Sequence, residues 1–158
     1  MITPIVSIVV SKHIHPATLE VAYEVASKLT KDDYKEVVEG HGCDPKVWMP
    51  IWAANSDSYY FTAADGQLAG MVGVEPNGAI WMLCTDVILD NPHTFVRQGK
   101  KFIESRKEKY LFNIVDKRNT THIKLLRFLG FKFIREVIFG PNQLPFIEFI
   151  RPCALPQH

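Results

Sequence analysis

Asn119-Thr-Thr-His-Ile-Lys-Leu-Leu-Arg-Phe-Leu-Gly130-Phe131 is the stretch whose reading settles the fold. Asparagine at a helix start caps a free backbone N–H. His122, Ile123, Leu126 and Leu129 then recur three and four residues apart, the spacing of one buried helix face. Gly130 is a stop signal, because glycine accepts the left-handed conformation that ends many helices. Before this helix, Tyr110 to Val115 is an apolar strand. After it, Phe131 to Phe139 and Phe146 to Arg151 read as two more strands, joined across Gly140-Pro141-Asn142.

Working toward the N-terminus, Pro92 to about Lys109 carries Phe95, Gly99, Phe102, Ile103 and Arg106 at helical spacing, with Asn91 as N-cap and Pro92 at the first helical position. Three strands precede it. Tyr59 to Ala63 and Leu68 to Val74 form a hairpin over Ala64-Asp65-Gly66, and Glu75-Pro76-Asn77-Gly78 leads into Ala79 to Thr85. Upstream, His15-Pro16 marks a helix running to about Leu29. Thr30 and Asp33 have capping-box spacing for a second, short helix with Tyr34, Val37 and Val38 on its apolar face, stopping near Gly40. Residues 41–58 fit one more short helix that ends in a loop, and Ile5 to Val10 is a β-branched first strand. Strand, two helices, three antiparallel strands, helix, strand, helix, two strands is an α/β (α+β) order. It builds a mixed, mostly antiparallel sheet with helices on both faces, within one domain over 1–158.

Composition narrows the function classes. The chain is 47% hydrophobic and 22% charged with a formal net charge of +1, which gives no polybasic footprint for nucleic acid and no disordered tail. Its three cysteines, Cys43, Cys84 and Cys153, are odd in number and widely spaced, so they suit neither a disulfide framework nor a CxxC metal site and imply a reducing compartment. No apolar run has the length of a signal peptide or membrane span.

Over nearly its whole length this order resembles the acyl-CoA N-acyltransferase (GNAT) superfamily, and the 119–131 stretch resembles that family's late motif of an Asn-opened helix running to a Gly-Phe pair. A closer similarity is to GNAT-like and internal virion protein A-like proteins of tailed phages. It rests on Gly78-Ala-Ile-Trp-Met-Leu-Cys-Thr85-Asp86, on Lys100-Lys101-Phe102, on Leu111-Phe-Asn-Ile-Val115 and on Asn119-Thr-Thr-His-Ile123. The resemblance implies acetyl-CoA as co-substrate and a groove beside Asn119, where two strands part to take the pantetheine arm. It places coenzyme contacts at Cys84, Thr85, Arg97, Gly99, Lys100, Asn119 and His122. It also implies a small-molecule or protein amine as acceptor, and a location in the host cytoplasm or the virion.

Acyl transfer from a thioester to an amine needs a docked coenzyme, a base for the amine proton and a donor for the oxyanion. Glu75 and Asp86, at the ends of the third and fourth strands, are the candidate bases, with solvated turn or capping residues as the plainer explanation of each. His122 titrates near neutrality, yet a helix histidine bonded to the Asp116 loop accounts for it as well. Cys84 reads as a small core residue. Trp48, Trp52, Tyr59 and Tyr60 suit an acceptor pocket or ordinary core packing. Lys100, Lys101, Arg106, Lys107 and Lys109 read as a solvated basic face.

Two family features are missing. The expected Gly-rich phosphate loop is replaced by Val87-Ile-Leu-Asp-Asn-Pro92, with Arg97-Gln98-Gly99-Lys100 as a fragment of it inside the helix. Leu126 also stands where the family often has a tyrosine acid. The sequence therefore supports two classes, an acyl-CoA-dependent N-acyltransferase and a non-catalytic protein of the same fold that meets virion or host proteins. Neither class involves nucleic acid, membrane or metal.

Overall fold

The structure, a computed structural model, describes residues 12–153; the strand expected at Ile5 to Val10 lies outside them. The chain order is β1 (Ile14–Pro16), α1 (Leu19–Ala26), α2 (Lys31–Lys35) running on as a π-helical turn (Glu36–Gly40), α3 (Pro45–Ala54), β2 (Asp57–Thr62), β3 (Leu68–Val74) and β4 (Ile80–Cys84). A 3₁₀ turn (Asp86–Leu89), α4 (Pro92–Glu104), β5 (Tyr110–Asp116), α5 (Thr120–Phe128), β6 (Lys132–Phe139) and β7 (Leu144–Pro152) complete it.

The strands form a four-stranded antiparallel sheet, β1-β2-β3-β4, and a three-stranded antiparallel sheet, β5-β7-β6. β4 and β5 lie side by side where the two sheets meet, linked by a single parallel bridge between Ala79 and Phe112. Helices cover both faces because β3 alternates its side chains. Met71 packs with Ala22, Val25, Met49 and Ala53 of α1 and α3. Val72 and Val74 pack instead with Phe102, Ile103, Leu126 and Leu129 of α4 and α5, together with Leu111, Val115 and Phe149.

Local sequence explains most boundaries. Asn119 Oδ1 accepts from the His122 N–H at 3.2 Å, and Phe131 N–H donates to Leu126 O at 3.0 Å around Gly130, whose φ is +92°. α4 starts at Pro92 as the sequence predicts and stops at Glu104. Arg106 then leaves the expected basic face: it pairs with Asp57 and Glu108, each at 2.7 Å, over the Phe102 ring. At the other end of the chain His15-Pro16 belongs to β1 rather than to a helix start. α1 begins only after Thr18, whose hydroxyl accepts from Val21 N–H at 3.1 Å. Tyr34, expected on the buried face of α2, is 51% exposed. The open stretch 41–58 holds α3, capped by Asp44 and started by Pro45.

Two glycines set how close the chain passes to itself. Gly78 has φ +96°, and a Cβ there would lie 2.6 Å from Tyr110 O, so the end at which β4 and β5 touch requires it. Gly40 closes the π-turn against β7: an added Cβ would stand 2.6 Å from Cζ of Phe146, a fully buried ring with no room to retreat. Gly40→Ala is therefore expected to cost about 1–3 kcal/mol by overpacking, read as a lowered midpoint in urea unfolding with an unchanged slope.

Candidate functional site

Beyond the Ala79–Phe112 bridge the two sheets separate, and side chains take over from the backbone. Asn113 makes the first crossing: its Nδ2 donates to Ile80 O at 2.9 Å and its Oδ1 accepts from Ile114 N–H at 2.8 Å. Two residues on, Met82 lies opposite Val72 in β3 at a position whose backbone groups point away from β3. Its N–H and C=O face the opening, with no strand of the described residues beside them.

At the far end of the opening the strands are tied to α2 and the π-turn. Asp33 Oδ2 accepts from Cys84 N–H of β4 at 2.8 Å, and Glu36 Oε1 accepts from Asp116 N–H of β5 at 3.0 Å. Asn119 Nδ2 binds both acids, Asp33 Oδ1 at 2.8 Å and Glu36 Oε1 at 3.2 Å. His122 Nδ1 stands 3.5 Å from Asp33 Oδ1. The Thr30–Asp33 capping box is thus half formed. Thr30 Oγ1 accepts from Asp33 N–H, but Thr30 N–H goes to Cys84 O and the Asp33 carboxylate turns to β4.

The electrostatics follow from burial. The Glu36 carboxyl is raised to about 7: loss of water is the largest cause and neighbouring Asp33 adds to it, while His122, the Asp116 N–H and Asn119 offset part of the rise. Burial alone would lower His122, but its hydrogen bond and attraction to Asp33, with Glu36 behind, hold it above the usual histidine value. His41 is lowered by burial against the pull of Asp116 and stays neutral at pH 7. The Cys84 thiol is pushed well up by burial and by Asp33, so it is no nucleophile.

A cavity of about 230 Å³ opens on the side of the π-turn and α3, lined by Glu36, His41, Trp52, Glu75, Trp81, Met82, Asn113 and His122 among others. On the α4 and α5 side lies a second, almost wholly apolar space of about 60 Å³. Gln98, Gly99 and Leu126 border it, and it shares Trp81, Met82 and His122 with the first. Gln98 Oε1 there is a buried acceptor without a partner among the described residues.

The structure sorts the sequence-stated candidates. Glu75 and His122 line the larger cavity, whereas Asp86 is exposed on a separate depression beside α1. Asn119 is 2% exposed, and its side chain is committed to Asp33, Glu36 and the His122 N–H instead of facing the opening. The His122 partner is Asp33 and not the Asp116 loop. Thr85 is occupied as well, donating to Leu68 O and accepting from Val87 N–H. Arg97, Gly99 and Lys100 lie in the middle of α4, where Gly99 gives room to Leu129; Arg97 and Lys100 are exposed and border neither cavity.

Of the aromatics, Trp52 reaches the cavity. Trp48 is half exposed beside Trp52, Tyr59 packs on Phe102, and Tyr60 stacks on His15. Sequence reasoning passed over Asp33 and Glu36. Their available signal was the spacing Asp33, Glu36, Val37, Gly40, which keeps all four on one buried helical face. Among the described residues no cluster of His, Cys, Asp and Glu could hold a metal ion, and no helix is long and apolar enough to cross a membrane.

No protein-family model matches the chain, and no curated protein matches it. Solved structures do. A GNAT-family acetyltransferase from Bacillus anthracis superposes with TM-score 0.64 at 9% identity, covering 89% of this chain and 93% of its own. A chimera of the Vibrio cholerae spermidine N-acetyltransferase SpeG and hSSAT gives 0.60 at 10%, covering 89% and 96%. A protein from Bordetella pertussis described as a GnaT-family acetyltransferase gives 0.57 at 11%, covering 90% and 98%. The chain has the fold of the GNAT acetyltransferases, with the parting of β4 and β5 at its centre.

The Glu36–His122 pair makes stability depend on pH. Both groups bind a proton more tightly folded than unfolded, so their contribution is complete at low pH and is lost as pH rises through about 7. Each pKa unit is worth about 1.4 kcal/mol, so ionising Glu36 in place costs on the order of 3 kcal/mol. Melting temperature should fall from about pH 4.5 to about pH 7, and Glu36→Gln should flatten that fall; a parallel fall in the variant would show that Glu36 is not its source.

Proposed function

We propose that this protein transfers an acyl group from an acyl-CoA thioester, acetyl-CoA by resemblance, to an amine. The observation that carries the reading is the unpaired backbone edge at Met82. A strand left without its neighbour can bind the amides of an extended arm as an added strand would. The two cavities meet at that edge, so an arm laid along β4 from the α4 side ends beside the groups of the larger cavity. The solved acetyltransferases of this fold supply the reaction class, and the spermidine enzyme among them a small-molecule amine as acceptor.

In this reading Met82 N–H and C=O hold the arm, and the Gln98 amide meets it on the α4 side. With Leu126 in the core, the leaving thiolate takes its proton through solvent. Acyl-CoA supplies the activated carbonyl. The chain's own residues orient the arm, keep the acceptor beside it and accept its proton.

A second reading is favoured by the ties at the far end of the opening. Asp33 and Glu36 already occupy the strand N–H groups of Cys84 and Asp116, and the α4 side offers only about 60 Å³. A non-catalytic protein that keeps the fold and acts through protein contacts would show both features. In this reading, the sequence resemblance of the 78–86 and 119–123 stretches to phage proteins would make virion or host proteins its partners.

Calorimetric titration with acetyl-CoA separates the two. A site filled at a hundred times its dissociation constant stabilises the fold by about 2.7 kcal/mol, and thiol release on adding an amine should follow. Neither heat nor thermal shift at millimolar acetyl-CoA would favour the second reading.

A further inference from the structure

The walls of the larger cavity are anionic and aromatic. Glu36 and Glu75 supply two carboxylates, and Trp52, Trp81 and Phe149 supply rings; among the described residues no lysine or arginine lines it. Trp52 lies between Trp81 at 6.5 Å and His41 at 6.3 Å, and Trp81 Nε1 is fixed on Ser56 Oγ at 3.1 Å, so the rings are held in place. Gly73 lets Trp81 lie flat on β3, since a Cβ there would strike its indole. His41, lowered by burial, adds a neutral ring, and His122, the wall histidine held above its usual value, is paired with Asp33. Rings whose faces are electron-rich, beside the buried Glu36 carboxylate and the exposed Glu75 carboxylate at the rim, select a cation with an apolar stem. They reject a carboxylate by repulsion and by the cost of burying it without a partner.

Glu36 is positioned to do more than attract. Oε1 is fixed by Asp116 N–H and Asn119 Nδ2, while Oε2 has no hydrogen-bond partner among the described residues. The charged and titratable groups around it are Asp33 of α2, Asp116 of β5, His122 of α5, His41 at the end of the π-turn and Glu75 across the cavity.

We propose that the acceptor is a protonated alkylamine without a carboxylate, seated on Trp52 and Trp81 with its ammonium toward Glu36 and Glu75, and that Glu36 takes the ammonium's proton. The proton-acceptor role rests on the transferase reading; the amine site does not. In the step, R–NH₃⁺ gives one proton to the Glu36 carboxylate, and the free amine attacks the thioester carbonyl. The C–N bond forms and the C–S bond breaks. The second proton leaves the nitrogen and ends on the departing thiolate as thiol, and Glu36 returns its own to solvent.

The test uses the whole protein and four probes of similar size, 1,4-diaminobutane, n-butylamine, 4-aminobutanoate and n-butanol, with binding followed by tryptophan fluorescence without coenzyme. The two amines should bind at least tenfold more tightly than the aminobutanoate or the alcohol. Trp52→Ala should weaken the diamine by roughly 3- to 30-fold, the range of a cation over a partly desolvated ring. Glu75→Gln should weaken it in the same direction. Equal binding of butanol and butylamine, or an unchanged affinity in Trp52→Ala, would overturn the site.

For the proton, turnover of acetyl-CoA with diaminobutane should rise with pH through about 7. Glu36→Gln should lower kcat by roughly 10²- to 10⁴-fold and abolish that rise, with acetyl-CoA affinity retained. A Glu36→Gln enzyme that keeps kcat and the pH profile would overturn the role of Glu36. Wild-type protein that binds the diamine but not acetyl-CoA would overturn that role together with the transferase reading, and would leave the amine site standing.

Discussion

Two strand amides that no strand can satisfy govern the centre of this molecule. β4 and β5 diverge, so Cys84 N–H and Asp116 N–H would lie buried without acceptors, each at a cost of about 1–3 kcal/mol. Asp33 and Glu36 meet one each, and Asn119 joins the two acids through a single amide nitrogen. The arrangement satisfies both amides at this end of the opening, where the sheet comes apart in the interior. Its electrostatic cost falls on Glu36, whose second oxygen has no hydrogen-bond partner among the described residues and borders a cavity.

The same tie divides the molecule's opening into parts with different chemistry. Asn113 closes one end by bridging Ile80 O and Ile114 N–H, and the acid pair closes the other. Between them the Met82 edge stays bare, with an apolar space on the α4 side and an aromatic, acidic one under the π-turn. A neutral arm and a cationic partner would therefore approach the same backbone atoms from opposite faces.

Much of the scaffold was legible because its signals are local. Asn119, Gly130, Pro92 and the Asp65-Gly66 and Asn77-Gly78 turns act through their own backbone, and the strands alternate as their burial requires. The site was less legible because the bonds that tie Asp33 and Glu36 to Cys84, Asp116 and Asn119 join residues more than fifty positions apart. Thr30 and Asp33 have the spacing of a reciprocal cap, but Cys84 O had already taken the Thr30 N–H, a competition invisible in the local sequence. Glu36 sits in a charged run from Lys31 that looks solvated. Asn119 was correctly read as a cap, while the groove role assigned to it by resemblance met the two acids instead. Asp86 lies on a separate depression, away from the Met82 opening, because a 3₁₀ turn follows β4 at once.

The π-turn gives this centre an unusual sensitivity to chain length. His41 N–H reaches back five residues to Glu36 O, so the turn holds one residue more than an α-helix would. Removing one residue between 37 and 40 would restore ordinary helical winding and shift the residues left at the end of the turn by one position, about 100° of helix rotation, while α3 and the strands beyond keep their own packing. His41 would leave the cavity wall and Gly40 its seat on Phe146, while Glu36, upstream of the loss, would keep its hold on β5. A single deletion could thus erase the pocket and spare the fold, and an insertion at the same place in an ancestral helix would have opened it.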